Sequence, residues 1–348
     1  MAESKSRILK FDNTKAFLML IVVFGHGLTP FLGSQGVNWA TLWLYSFHMP
    51  LFVFLTGLFA KKAVSKEKLD FRKIVSFALL GMFIKVATHL TLIACGKNPE
   101  FNLLEENGVA WYIFVMAVHM IISHAVRKLT PWKVLLTSVV IALLAGYVDD
   151  IGNVFVLSRI ITFFPAFYLG VIADREKITN FVNKPLVRVA SALFFVSFTV
   201  GIYFVIDKVY PLRYVLTGNN PYCEFGAQGE VFGALLRLGC YVLSLMMGLA
   251  VLSLSPNRKI PLFTFCGSRT LSVYALHRPV QLVMETLFLT SAIGSMQPRY
   301  ILALVMGISV LLTFLLSLRP FEYVLYPFTA WDKFFSPLIR WFRKPEFK

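Results

Sequence analysis

Charge is scarce in this sequence. Asp, Glu, Lys and Arg make up 15% of it, against about 25% in soluble domains, which argues against a soluble globular enzyme. Acidic residues are scarcer still, 18 against 34 basic ones, for a net charge of +16. Four cysteines in 348 residues, none in a C-x-x-C pair, give neither a disulfide scaffold nor a zinc site. Walker A, G-x-G-x-x-G and G-x-S-x-G motifs are missing, and no His/Cys/Asp cluster has metal-ligand spacing, so no metal is expected. There is no N-x-S/T sequon, consistent with a bacterial chain, and no 20–50-residue repeat.

Apolar residues are plentiful. They form 57% of the chain, with a mean hydropathy of +0.70, enough for roughly ten spans of ~20 residues. Ten apolar segments are visible, at about 16–33, 39–60, 74–94, 110–126, 132–147, 157–173, 189–206, 230–254, 262–290 and 300–318. The fifth and sixth are short, and the ninth must tilt or break. The expectation is an all-α polytopic membrane protein of about ten transmembrane helices. It forms a single unit over 1–348, with short cytoplasmic tails at 1–15 and 319–348. With the N-terminus inside, 25 of the 34 basic residues fall in cytoplasmic segments and three (Lys97, Lys208, Arg213) in outer loops. That is the positive-inside pattern. It places both termini in the cytoplasm and makes a nucleic-acid partner unnecessary. No small-x-small site follows the first apolar run before Gly33-Ser34-Gln35, and the second run begins at once, so the first reads as a span and not a cleavable signal.

Ionisable residues inside a bilayer are costly and are functional candidates by default. Lys15 and His26 are eleven residues apart, about three helical turns, on one face; the ~16 Å rise carries His26 toward the midplane. Asp12, three residues before Lys15, can pair with it. Gly25 and Gly27 flank His26 and leave room for a ligand or for close helix approach. His48, in Phe47-His48-Met49-Pro50, lies ~14 Å deep in the second span, and Lys85 ~18 Å deep in the third. Pro50 frees a backbone carbonyl near His48. In the ninth segment Tyr274, His277, Arg278, Gln281 and Glu285 recur at three- and four-residue spacing, a stripe that lines a cavity or pairs internally. Arg159 opens the sixth span near the outer surface, to anchor an anionic or sugar group or to snorkel. His119 and His124 read as structural. Cys95 and Cys223 both fall outside, where a disulfide is conceivable. The inner face carries Arg7, Lys10, Lys15, Lys61, Lys62, Arg72 and Lys73, which could meet a polyanion or simply express the positive-inside bias.

Several motifs, in order, resemble the acyltransferase 3 superfamily, and within it the fucose 4-O-acetylase-like membrane sugar O-acetyltransferases. They are Asp12-Asn13-Thr14-Lys15, Leu20 to His26, Phe47 to Gly57, Phe163 to Gly170, and Ser272 to His277. The resemblance covers nearly the whole chain. It implies acyl transfer, most simply of acetyl from cytoplasmic acetyl-CoA to a hydroxyl of a cell-surface or lipid-linked saccharide, in the cell (plasma) membrane. The family's basic-residue, ten-spacer, histidine motif falls on Lys15 and His26. His26 is then the essential histidine, with His48 beside it as a second catalytic candidate. Lys15, Asp12, Arg72 and Lys73 are candidates for the donor side, although the family's second arginine, three residues from the first at the start of the third span, is missing here. Lys85, Arg159, Tyr274 and His277 are candidates for the acceptor side or the cavity lining. Many relatives carry a fused extracytoplasmic domain, and this chain shows none after its tenth segment; such a partner, if required, is a separate protein. The competing class is a transporter of a polar or lipid-linked substrate, since midplane polar groups and Pro- or Gly-broken helices also suit transport.

Overall fold

The computed structural model describes residues 8–106, 108–152, 154–289, 293–294 and 296–336. Among these it is all-helical apart from one antiparallel bridge, Glu105 to Val154. The first helix, α1 (Leu9–Leu28), ends in a 3-10 turn over Thr29–Phe31. Gly33, at φ 118°, then reverses the chain. Ser34 caps α2 (Gln35–Tyr45) by accepting from the Val37 N–H. A break at Ser46–Phe47 precedes α3 (His48–Val64). Pro50 explains part of this break, because it has no N–H for the Ser46 carbonyl; Ser244 Oγ donates to that carbonyl instead, at 2.6 Å.

The chain continues through α4 (Phe71–Ala94), α5 (Trp111–Ala125), α6 (Pro131–Leu144), α7 (Leu157–Ile172) and α8 (Arg175–Val182). It goes on through α9 (Pro185–Val209), α10 (Arg213–Leu216), α11 (Ala227–Leu254), α12 (Pro261–Gly267) and α13 (Thr270–Met284), followed by a π-helical turn over Glu285–Leu289. The last helices are α14 (Pro298–Leu316), α15 (Arg319–Thr329) and α16 (Trp331–Phe334).

Six stretches are long and apolar enough to cross a membrane: Leu9–Phe31, Gln35–Val64, Phe71–Ala94, Pro185–Leu216, Ala227–Leu254 and Pro298–Leu316. A seventh is made by α7 and α8 if that pair, bent by 95°, counts as one span. The fourth and fifth apolar segments of the sequence are the shorter helices Trp111–Ala125 and Pro131–Tyr147. The ninth, expected to tilt or break, breaks: Ser268 and Arg269 separate α12 from α13, and Glu285 opens the π-turn. Its polar stripe faces protein, so apolar length is not what holds it in place. The protein is thus a multi-pass helical membrane protein with six or seven full-length candidate spans and shorter apolar helices packed among them.

The most extensive helix contact joins α3 to α7. Gly57 sits against the Phe167 carbonyl and Gly170 against the Phe54 carbonyl, where any Cβ would collide with backbone. Lipid offers little hydrophobic drive for helix association, so close backbone approach through small residues supplies the contact. The core around it includes Leu18, Val23, Phe47, Val53, Met116 and Phe167. On the other side, α1 packs on α12, α13 and α14. Three side chains fix its first turns. Lys10 Nζ donates to the carbonyls of Leu252 (2.8 Å), Ser253 (3.3 Å) and Ser255 (2.6 Å), closing the C-terminus of α11. Asn13 Nδ2 donates to Pro256 and Arg258, and Thr264 Oγ1 donates to Asn13 Oδ1. Lys61 does the same service for α7, donating to the Ala173 carbonyl at 2.9 Å. Lys10 and Lys61 therefore cap helices here, and buried Lys10 is removed from the basic residues open to a polyanion.

Candidate functional site

Asp12 and Lys15 share the first turns of α1 at i,i+3 spacing and form an ion pair of 2.9 Å. Lys15 Nζ also lies 5.2 Å from the centre of the Phe59 ring. It opens onto a cavity of about 250 Å³ between α1, α3, α4, α5 and α13, whose lining includes Met19, Phe52, Thr56, Tyr112 and Tyr274. A second cavity, of about 660 Å³, is bordered by Lys66, Asp70, Arg72, Lys73 and Ser76. Thr56, Phe59, Phe77 and Leu271 line both, so the two are neighbours across a shared wall. The larger is basic at its rim and the smaller ends at Tyr274. At the rim, Arg72 Nε is held by Asp332 Oδ1 at 2.8 Å, Ser76 Oγ donates to the Thr329 carbonyl, and Phe328 stacks on Phe83 at 4.5 Å. The segment after α14 therefore folds back against α4.

Beyond Tyr274 the polar residues close ranks. The Tyr274 hydroxyl donates to the Val109 carbonyl. Its ring is 5.2 Å from Tyr112 and 5.9 Å from His277, and the Tyr112 hydroxyl shares a 2.6 Å hydrogen bond with Thr56 Oγ1. His277 and His26 stand with ring centres 5.3 Å apart. The charged and titratable groups within electrostatic range of His26 are His277, Arg278, His48 and Arg159. With His26 itself on α1, these groups come from four helices, α1, α3, α7 and α13. Gln281 Nε2 donates to the Val23 carbonyl at 2.7 Å, which ties α13 to α1 one turn below His26. Arg278 pairs with Glu285 at 2.5 Å. The stripe read from α13 is therefore a set of internal contacts.

The histidine tautomers follow from their partners. His48 Nδ1 lies 2.6 Å from the Leu44 carbonyl, and a carbonyl only accepts, so Nδ1 carries the proton and Nε2 of the neutral ring keeps its lone pair. His277 Nδ1 faces the carbonyls of Tyr274 (2.8 Å) and Val273 (3.1 Å), and its Nε2 is likewise bare. His119 and His124 tie α5 to the Ile160 and Val64 carbonyls, which are structural contacts.

Two expectations change. The glycines beside His26 do not open space for a ligand. Gly25 packs on Leu44, and Gly27 on Val305 and Gln281, so both admit neighbouring helices. Arg159 does not snorkel outward. It is 9% exposed, its guanidinium lies 4.8 Å over the Trp111 ring, and its hydrogen bonds, to the Thr217 and Glu106 carbonyls, are long at 3.4 and 3.5 Å. Lys85 pairs with the Glu106 carboxylate at 3.5 Å and donates to the Glu105 carbonyl. Glu106 therefore bridges Lys85 and Arg159. Burial pushes its carboxyl above the usual carboxylate range against the pull of Lys85. Residues 155 and 156 enter α7 with left-handed φ of 50° and 57°, a turn uncommon for Phe and Val that precedes Arg159 by one helical turn. Sequence reading missed Glu106, Trp111, Thr56 and Tyr112; the available signal was the adjacent acids Glu105 and Glu106 in the loop between α4 and α5. Cys95 and Cys223 are both free. Among the described residues no three His, Cys, Asp or Glu side chains gather as a metal site.

Fold and site together define a multi-pass helical membrane protein in which His26 and His277 meet inside the bundle, beyond a cavity that reaches Tyr274. The comparisons place it further: an acyltransferase domain family matches residues 8–318. The chain belongs to that family and is an acyltransferase. It is also similar to nodulation protein NolL of Sinorhizobium fredii (strain NBRC 101917 / NGR234), 25% identical over 162 residues, covering 41% of this chain and 44% of that protein. The chain thus matches less than half the length of this relative. No solved structure matches.

Proposed function

We propose that this acyltransferase moves an acetyl group from cytoplasmic acetyl-CoA to a hydroxyl of a cell-surface or lipid-linked saccharide, with His26 as general base. The observation that carries this reading is the adjacency of two cavities, one with Arg72 and Lys73 at its rim and one reaching from Lys15 to Tyr274, beside the His26–His277 pair. A donor with a polyanionic head and a thioester at the far end of a narrow arm matches that order: basic rim first, apolar and hydroxyl-lined passage next, imidazole last. The positive-inside pattern puts the rim and both termini in the cytoplasm; the enzyme then belongs to the cell membrane. A separate extracytoplasmic partner remains compatible with this layout.

In this mechanism Lys15, oriented by Asp12, and Arg72 and Lys73 hold donor phosphates. The acceptor hydroxyl enters from the side of Arg159, Lys85 and Glu106 and meets the thioester at His26. His26 removes the hydroxyl proton as the oxygen attacks the acyl carbon, a contribution of roughly 10²–10⁴ in rate. The C–S bond breaks as the tetrahedral adduct collapses, and the CoA thiolate takes the proton back from His26. Arg159, the inward-facing cation on α7, offers positive potential to the developing oxyanion. The bare Nε2 of His48 is placed to accept a second acceptor hydroxyl. The test is release of free CoA and formation of O-acetyl ester by purified protein in nanodiscs with acetyl-CoA and extracted surface saccharide. His26→Ala should insert normally and release no CoA above background; wild-type turnover in that variant rejects the assignment.

A further inference from the structure

We propose that His277 is a positioning residue for His26, its Nε2 accepting the N–H of His26 and so fixing which nitrogen of His26 acts as the base. The proposal rests on the assignment of His26 as general base.

His277 presents an unused acceptor. His277 is 0% exposed. Its Nδ1 proton is committed to the carbonyls of Tyr274 and Val273 one turn earlier in α13, so Nε2 has only a lone pair to offer. That Nε2 is buried and without a hydrogen-bond partner among the described residues, which is costly unless something occupies it. The neighbouring ring is His26, 5.3 Å away between centres and tilted by 44°. The imidazole χ2 torsion is broad, and in the proposed arrangement His26 turns about it to set a ring nitrogen at hydrogen-bond distance from Nε2, about 3 Å. A general base needs its second nitrogen protonated and held, as the third member of a triad does for its histidine.

The surroundings explain why the partner is an imidazole. The other groups near enough to act on His26 are His48 from α3, Arg159 from α7 and Arg278 from α13, and Tyr274 flanks His277. When His26 takes the hydroxyl proton, the new positive charge meets two arginines, one of them already paired with Glu285. A hydrogen bond to a neutral acceptor spreads that charge over two rings. The proton count closes: the acceptor's proton enters His26 at the free nitrogen and leaves to the CoA thiolate, while the N–H shared with His277 stays in place.

A purely structural histidine uses only Nδ1, and that distinction supplies the test. His277→Asn keeps a donor near the Tyr274 carbonyl but has no acceptor reaching the Nε2 position; His277→Gln reaches that position with its carbonyl. In full-length protein in nanodiscs, His277→Asn should lower kcat about 100-fold with the KM for acetyl-CoA within about twofold, and His277→Gln should recover about a tenth of wild-type turnover. Wild-type kcat in His277→Asn, or equal loss in both variants, overturns the proposal. Nitrogen-15 NMR of histidine-labelled wild-type protein tests it even where a variant folds poorly. His277 Nε2 should resonate as an unprotonated, hydrogen-bonded nitrogen and shift in His26→Ala; a protonated Nε2, or no shift, overturns it. If His26→Ala is itself active, the general-base assignment has failed. If His26→Ala is inactive and His277→Asn is active, only the present proposal has.

Discussion

Lys15→Met is the perturbation whose size the structure specifies best. Lys15 is 23% exposed, paired with an Asp12 carboxylate that is 5% exposed, and opens onto the smaller cavity. If its ammonium also binds a donor phosphate, removing it forfeits one charge-assisted hydrogen bond, about 1.5–3 kcal/mol. At about 1.4 kcal/mol per tenfold that is roughly a 10- to 150-fold rise in the Kd for acetyl-CoA. A second effect adds to it, because Asp12 loses this partner and its negative charge then repels the phosphates. Lys15→Met with Asp12→Asn removes the repulsion, so the double variant should bind more tightly than Lys15→Met alone yet more weakly than wild type. Lys15→Arg, which keeps the charge but shifts its geometry, should retain part of the affinity. The assay is isothermal titration of acetyl-CoA into detergent-purified protein, with insertion checked by protease protection. Unchanged affinity in Lys15→Met refutes the reasoning, returns Lys15 to the positive-inside pattern and moves the donor site toward Arg72 and Lys73.

The remaining predictions are briefer. Asp332→Asn frees Arg72 from its 2.8 Å contact, so acetyl-CoA should bind severalfold more tightly, read by the same titration; weaker binding would show that the contact organises the rim. Gly57→Ala puts a methyl group on the Phe167 carbonyl, an overpacking cost of about 1–3 kcal/mol, and should lower the thermal midpoint in detergent, while Gly201→Ala, with nothing near its Cβ position, should leave it unchanged or raise it. Arg159→Gln removes the inward cation of α7 and should cut kcat more than the KM for acetyl-CoA. Reporter fusions after residues 66, 129, 180 and 257 should all report the cytoplasm and one after residue 34 the exterior; a cytoplasmic signal at residue 34 would contradict the orientation.

Much of the architecture is legible in the sequence because membrane physics is coarse. Apolar length marks helices such as Phe71–Ala94 and Ala227–Leu254, and i,i+3 or i,i+4 spacing announces both the Asp12–Lys15 pair and the stripe on α13. Breaks are harder to read. The interruption at Ser46–Phe47 depends on Ser244, 198 residues away, satisfying the carbonyl that Pro50 leaves free. The sequence distinguishes a lysine that caps a helix from one that faces a cavity no better: Lys10 and Lys15 differ only in which carbonyls and carboxylates the fold brings to them. Depth in the membrane is legible for Lys85 but azimuth is not, and the partner it turns to is Glu106. Glu106 lies in a loop, where no periodicity marks a functional side chain.

The central claim, that the enzyme moves acetyl from a cytoplasmic donor with His26 as general base, is tested most directly with inverted membrane vesicles supplied with acetyl-labelled acetyl-CoA on their cytoplasmic face. The account predicts label in an alkali-labile O-acetyl ester of the vesicle saccharide, with stoichiometric release of CoA, and none of either above background in vesicles carrying His26→Ala. Undiminished ester formation by His26→Ala, or saccharide labelling that requires the donor on the opposite face, would contradict it.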